Sequence, residues 1–274
     1  MTCYSAGIEQ GTFESLADHW LQIFEESSEP TFFDSQAWQK TWWSEFGNDF
    51  KLHLLMVRSE SGDLNMIAPL MIDGSEISFL GSTDLVDYHD FISRDRLNSS
   101  CIHSLVCALS EMAEIDTILL QSLPGNSPTI TQFREEAENS GWRVKLEQED
   151  VAPRIDLPAS WDEYISALRK KDRHELRRKL RRLETAGTVK YVELSEPADI
   201  EDSMAEFMRL HRMSTPDKNE FMTAAREQFF CKIAVELARE GITRLCFLEI
   251  DGIREATSLS FVTANVRYLS LIHI

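Results

Sequence analysis

The chain has few of the residues that staple or metallate a fold. Its five cysteines, Cys3, Cys101, Cys107, Cys231 and Cys246, are scattered, with no CxxC spacing. That pattern predicts reduced thiols in a cytosolic, cytoplasmic protein rather than a disulfide framework. The seven histidines fall into no HExxH or comparable spacing, so no metal site is expected. No run approaches the ~18 apolar residues of a membrane span. The opening MTCYSAGIEQGTFES has no basic stretch leading into an apolar one, so no secretory signal is expected. Positive charge is scarce as well: 28 Lys and Arg face 46 Asp and Glu, for a net charge of −18. Most of such a surface repels a polyanion, which excludes a general DNA or RNA binder but leaves room for one local anion site.

What positive charge there is has been gathered in one place. RKKDRHELRRKLRR, residues 169–182, holds nine basic and two acidic residues, a net +7, so the remainder carries 19 − 44 = −25. Apart from this segment the composition is ordinary for a globular protein, with 43% hydrophobic and 27% charged residues, and 274 residues suit one large domain or two of usual size.

Periodicity organises the rest. Phe13, Leu16, Trp20, Ile23 and Phe24 mark one helix face, and Ser35 caps a second helix carrying Trp38, Trp42, Trp43 and Phe46. KLHLLMVR, NMIAPLMI and EISFLG, separated by SESGDL and DGS, predict a three-stranded meander. A helix over 98–114, a strand over 116–123, a helix over 129–140 and a strand over 142–148 complete the first half. In the second half one basic helix is expected from Ser160 to Ala186, then the strand TVKYVEL and two helices. RLCFLEI and IREATSLSFV follow, joined at Asp251-Gly252 as a hairpin. Helix, helix, hairpin recurs, so the fold class is mixed α/β (α+β) in two units, 1–150 and 151–274.

This order resembles the GNAT acyltransferase fold, and two copies in tandem resemble its CelD-like and Fem-type branch. PTFFDSQAWQKTWWSEFG, GDLNMIAPLM and DLVDYHDFI are similar to motifs of the first unit, and the basic helix and LHR (210–212) with Phe221, Phe229 and Phe230 to motifs of the second. The resemblance implies transfer of an acyl group to an amine from acetyl-CoA or a related acyl-CoA as co-substrate, with no permanently bound cofactor. It also implies a small amine or phosphorylated acceptor, with a link to envelope polysaccharide synthesis. Two alternatives stay open: aminoacyl transfer from tRNA, as in the Fem branch, and a non-catalytic scaffold that binds an anion. The loop GSTDLVDYHDFISRD (81–95) lacks the family's phosphate-binding glycines, so the first unit is not expected to hold CoA in the usual way. LSLIHI (269–274) resembles a translated sequencing adapter, so the second unit is expected to be incomplete and, as given, inactive toward acetyl-CoA.

Individual residues carry more than one reading. The arginines of the basic helix are a solvated face pairing with acids elsewhere, or a clamp in which Arg173 and Arg177, one turn apart and with Arg178 beside them, grip a phosphate or carboxylate, or a contact for anionic lipid, against which stands that the segment has no Trp or Phe beyond Trp161. His211 is a general base or a core-edge histidine completing the Ile200-Met204-Phe207 stripe. Glu249 is a proton-accepting carboxylate, where the resemblance places one, or an outward strand residue. Asp87 and Tyr88 suit packing or docking between the units.

Overall fold

The computed structural model describes residues 7–27, 30–59, 62–82, 84–94 and 99–273. Parts of the turn at 59–64, the start of the helix expected at 98, Ile274 and the side chains of 270–273 lie outside the described residues. The first half runs β1 (Ile8–Gly11), α1 (Ala17–Glu26), a 3-10 turn (Phe32–Asp34), α2 (Gln36–Phe46), β2 (Lys51–Arg58), β3 (Leu64–Asp73), β4 (Glu76–Phe79), β5 (Ile92–Ser93), α3 (Ser99–Ser110), β6 (Thr117–Leu119) and α4 (Pro128–Asn139). The second runs α5 (Trp161–Ala167), α6 (Lys170–Glu184), β7 (Val189–Leu194), α7 (Pro197–Ser214), α8 (Pro216–Phe221), α9 (Ala224–Arg239), β8 (Thr243–Ile250), β9 (Ile253–Thr263) and β10 (Val266–His273).

The strands form two sheets, ordered β1-β2-β3-β4-β6 and β10-β9-β8-β7, with β5 on the side of β3. In each, a short strand is followed by helices and then by an antiparallel meander that returns beside it: β1 pairs β2 as β7 pairs β8, and β3 follows as β9 does. The hairpins at 51–73 and 243–263 therefore hold matching places. In the first sheet β4 pairs β6 in parallel.

Alternation explains why one sheet is apolar throughout. Leu54 and Met56 of β2 face the core containing α1 and α2, while Leu55 and Val57 face a second core with Ile102, Leu105 and Leu109 of α3. Both faces are covered, so the strand reads as a continuous hydrophobic run. The second sheet turns Leu245 and Phe247 into the shared core on one face. Its other face carries Arg244, Cys246, Glu193 and Arg267, and Arg267 donates to Glu193 at 2.9 Å.

The larger core belongs to both halves. Trp38 of α2 meets Phe229 of α9 edge-on at 5.1 Å, and Phe32 lies 4.4 Å from Phe261 of β9. Trp20, Trp38, Phe32, Phe207, Phe229 and Phe261 are at most 1% exposed.

Several expectations need correction. The single basic helix is two, because Leu168 and Arg169 take extended backbone, with ψ near 147° and 148°. The break folds Leu176 back beside Trp161 and Tyr164. Residues 142–148 form no strand: Trp142 and Val144 pack on the second core, but Leu146 is exposed, so the alternation has no sheet edge to serve. The strand expected at 116–123 shortens to three residues, and β1, too short to show a period, was not foreseen.

Since one aromatic cluster joins the halves, Trp38→Ala is expected to cost about 3–5 kcal/mol, the range for deleting a large buried ring. Urea unfolding of the parent followed by fluorescence and by circular dichroism should give one coincident transition. Two separated transitions would show that the halves unfold independently and that the shared core does not couple them.

Candidate active site

The loop from β4 to β5 is shaped by packing. Gly81 has φ +139°, and a Cβ there would come 2.5 Å from the His89 ring. His89 is buried, stacks on Phe79 at 5.5 Å, and burial lowers its pKa to about 4, so it is neutral at physiological pH. The next residue, Asp90, ties the loop to the start of α4. Its carboxylate accepts from the Thr129 hydroxyl at 2.5 Å, from the Phe91 N–H at 2.8 Å and from the Ser127 hydroxyl. Ser127 in turn caps α4 by accepting from the Thr129 N–H at 3.0 Å.

A second carboxyl group arrives from the 3-10 turn before α2. Asp34 accepts from the Thr31 N–H at 2.9 Å and hydroxyl at 2.8 Å, closing a capping box. Its backbone carbonyl accepts from the Trp20 indole N–H at 2.8 Å, which locks the turn to α1. Burial pushes Asp34 up to about 7, against the Thr31 hydrogen bonds and with help from the nearby charge of Asp90. Burial also raises Asp90, opposed by Ser127 and Thr129.

Asp34 and Asp90 line one cavity of about 180 Å³, together with Ser27, Thr31, Tyr88 and Asn126. Tyr88 connects the cavity wall to the second half of the chain. Tyr88 meets Tyr268 of β10 edge-on at 6.1 Å, and Tyr268 meets Phe32 at 5.3 Å. Both phenols are pushed up, first by burial; Asp87 adds to the shift of Tyr88, Asp34 to that of Tyr268, and Arg154 of the connecting segment opposes both. Two acids share a small partly enclosed space, and in their ionised form they attract an ammonium group. They can also take its proton.

The residues singled out from sequence lie elsewhere. His211 of α7 is fully buried, 6.0 Å from the Phe207 ring and 6.4 Å from Phe221. Burial, then Lys218 and Arg212, lower its pKa to about 4. Glu249 of β8 pairs with Arg254 at 3.6 Å, and the Arg254 guanidinium sits 3.9 Å over the Phe247 ring. Arg173 donates to the Ser166 carbonyl at 3.2 Å, Arg177 is exposed, and Arg178 makes a two-pronged contact to Glu175 at 2.7 and 3.0 Å. None of the five lines the cavity. Asp34, Asp90 and Tyr268 were missed, although two signals were present. TFFD is a capping-box spacing, and DYHD sets two acids around an aromatic pair. Among the described residues, no group of three or more His, Cys, Asp or Glu is arranged to hold a metal ion. No helix among them is long and apolar enough to cross a membrane.

No curated protein matches the chain in sequence. Among solved structures it is similar to the crystal structure of FemX, with a TM-score of 0.55 and 14% identity over 89% of this chain. At that identity the likeness is one of fold, and the chain spans 58% of the length of FemX. Residues 170–272, from α6 to β10, match the family model of the acetyltransferase (GNAT) domain.

Proposed function

We propose that the protein is an N-acyltransferase built from two tandem GNAT-like units, 1–150 and 151–274. It moves an acyl group from acetyl-CoA or a related acyl-CoA to an amine acceptor in the cytoplasm. The observation that carries this reading is the match of residues 170–272 to an acetyltransferase domain, on sheets that repeat one strand order. The cavity between Asp34 and Asp90 receives the acceptor's amino group. An ammonium entering there gives a proton to the Asp34 carboxylate, the freed nitrogen attacks the thioester carbonyl, and the tetrahedral intermediate expels the thiolate. Glu249, on the matched domain's own sheet, is the second candidate for the proton acceptor. His211, buried and neutral above about pH 4, supports packing under this reading. Arg173 and Arg177 clamp a phosphate on an acceptor of the kind used in envelope polysaccharide synthesis.

A second reading is aminoacyl transfer from tRNA. The fold likeness to FemX favours it, and it would appear as transfer abolished by ribonuclease. A non-catalytic anion-binding scaffold would bind a phosphorylated ligand without thiol release.

Thiol release from acetyl-CoA against a panel of amines tests the main reading. With Asp34 as acceptor, kcat/KM should rise with pH and level off near 7, where Asp34 ionises. Asp34→Asn should remove that limb and lower kcat about 100-fold or more. A limb that persists in Asp34→Asn but vanishes in Glu249→Gln would move the role to Glu249.

Asp34 also sets a stability trend. It stays protonated in the fold up to about 7, against a usual value of 3.8, so the native state holds an extra proton between the two. Stability should therefore be greatest below the lower value and fall as pH rises through the window. Urea midpoints at pH 4.5 and 7.5 should differ less in Asp34→Asn than in the parent; equal differences would contradict the buried carboxyl.

If the arginine clamp operates, changing Arg173 and Arg177 together to Gln should weaken a phosphorylated ligand by ~2–4 kcal/mol, as expected for two charge-assisted contacts. Melting temperature should hardly move. Unchanged binding by calorimetry would remove the clamp.

A further inference from the structure

The basic helix keeps its charge for something outside the protein. No residue of α6 is buried. Among the described residues, the acid that pairs with its cations is Glu175 of α6 itself, with Arg178 at 2.7 Å and Lys179 at 3.9 Å. The rest of the chain carries a net −25, yet among the described residues no carboxylate from it pairs with this helix. A face that served to neutralise the protein's own acids would show such pairs. Along one side of α6 run Leu176, Leu180 and Leu183, half-buried and belonging to neither core. The segment entering α5 exposes more apolar surface: Ile155 is 68% exposed, Leu157 79% and Trp161 57%. Leu157, Trp161 and Tyr164 line one shallow groove with Leu176, which places this apolar surface on the leucine side of α6.

We infer that α6 and residues 155–161 form a docking surface for an anionic lipid bilayer. The helix lies in the headgroup plane, the leucine stripe and Trp161 turn toward the acyl chains, and the flanking arginines and lysines meet the phosphates. Charge complementarity selects an anionic partner, and the aliphatic side chains select a bilayer. Ile155, Leu157 and Leu176 have nothing to contact on a sugar-phosphate backbone, whereas a bilayer accepts both the charges and the apolar groups. A small phosphorylated molecule would occupy two or three cations. The 15 residues of α6 spread theirs over ~22 Å, the length of a helix at 1.5 Å per residue, which fits an extended charged plane. Repulsion from the acidic body is screened beyond about 8 Å at physiological salt, less than the diameter of the helix that separates it from the surface. This inference stands apart from the acyl-transfer chemistry and replaces the acceptor clamp on this helix: it concerns where the protein works, not what it transfers.

The full chain is mixed with vesicles of phosphatidylcholine alone, or with about a quarter phosphatidylglycerol, and sedimented at about 0.15 M and about 0.5 M salt. Binding is expected to the anionic vesicles at the lower salt and to fall at least ~10-fold with neutral vesicles or higher salt. Lys179→Gln, Arg181→Gln and Arg182→Gln together should cause a similar loss with an unchanged circular dichroism spectrum. Tryptophan emission should shift to the blue on binding; Trp161→Phe should keep sedimentation and lose the shift, since Trp20, Trp38 and Trp42 are buried and the half-buried Trp43 and Trp142 pack against the two cores. Equal binding to both vesicle types, full binding by the triple variant, or a shift that survives in Trp161→Phe would each overturn the proposal. Binding of an RNA hairpin without vesicle binding would assign the surface to nucleic acid instead and overturn it too.

Discussion

The architecture depends on one aromatic contact set, in which Trp38 is held between Phe32, Phe33, Phe229 and Phe261. These rings come from a turn and a helix of the first half and from a helix and a strand of the second. Each half alone would leave large apolar rings in water, at roughly 25 cal/mol per Å² of exposed apolar surface. The halves share a short strand paired with an antiparallel hairpin, and they are one body in packing. Lys232 to Glu45 and Arg226 to Asp84 add ion pairs at the same junction, both with an exposed cation or acid, so they orient more than they stabilise.

The candidate cavity follows from that union. Asp34 sits one residue before the cap of α2, so the Trp38 contacts fix the turn that carries it. Asp90 is fixed from the other side by the start of α4. Tyr268 of β10 meets Tyr88, a cavity-lining residue, where Phe261 and Phe32 bring the second sheet against the 3-10 turn. The same packing that removes water from Asp34 shifts its proton affinity, so stability and chemistry are coupled at this residue. Cys246, by contrast, is buried and has its thiol pushed up, which leaves it a poor nucleophile although the Tyr191 hydroxyl lies 2.9 Å away.

Charge is arranged with equal economy. The acidic body carries scattered surface pairs, while the cations of α6 stand clear of it. The cations of α6 and the two carboxyl groups of the cavity are thus carried by separate elements.

Much of this was legible in the sequence because it rests on local rules. Ser35 caps α2 and its side chain accepts from the Trp38 N–H, as its position before the tryptophan face implied. The two hairpins, the helices with faces at Ile200 and Phe229, and the recurrence of their order all followed from period and turn residues. The basic segment was visible as composition alone. Tertiary structure decided the rest. Nothing local says that Leu168 and Arg169 should be extended; the break shows only in the fold, where Leu176 lies beside Trp161 and Tyr164. Strand 142–148 failed because alternation specifies a strand only where a sheet edge is waiting. Residue type singled out His211 and Glu249, and only the fold shows their surroundings: a phenylalanine-lined interior for one and an arginine partner for the other. Asp34 and Asp90, 56 positions apart in the chain, became a pair only when packing brought them to one cavity. A carboxyl group's proton affinity is set by the water and charge around it, and these are properties of the fold, not of the neighbouring sequence.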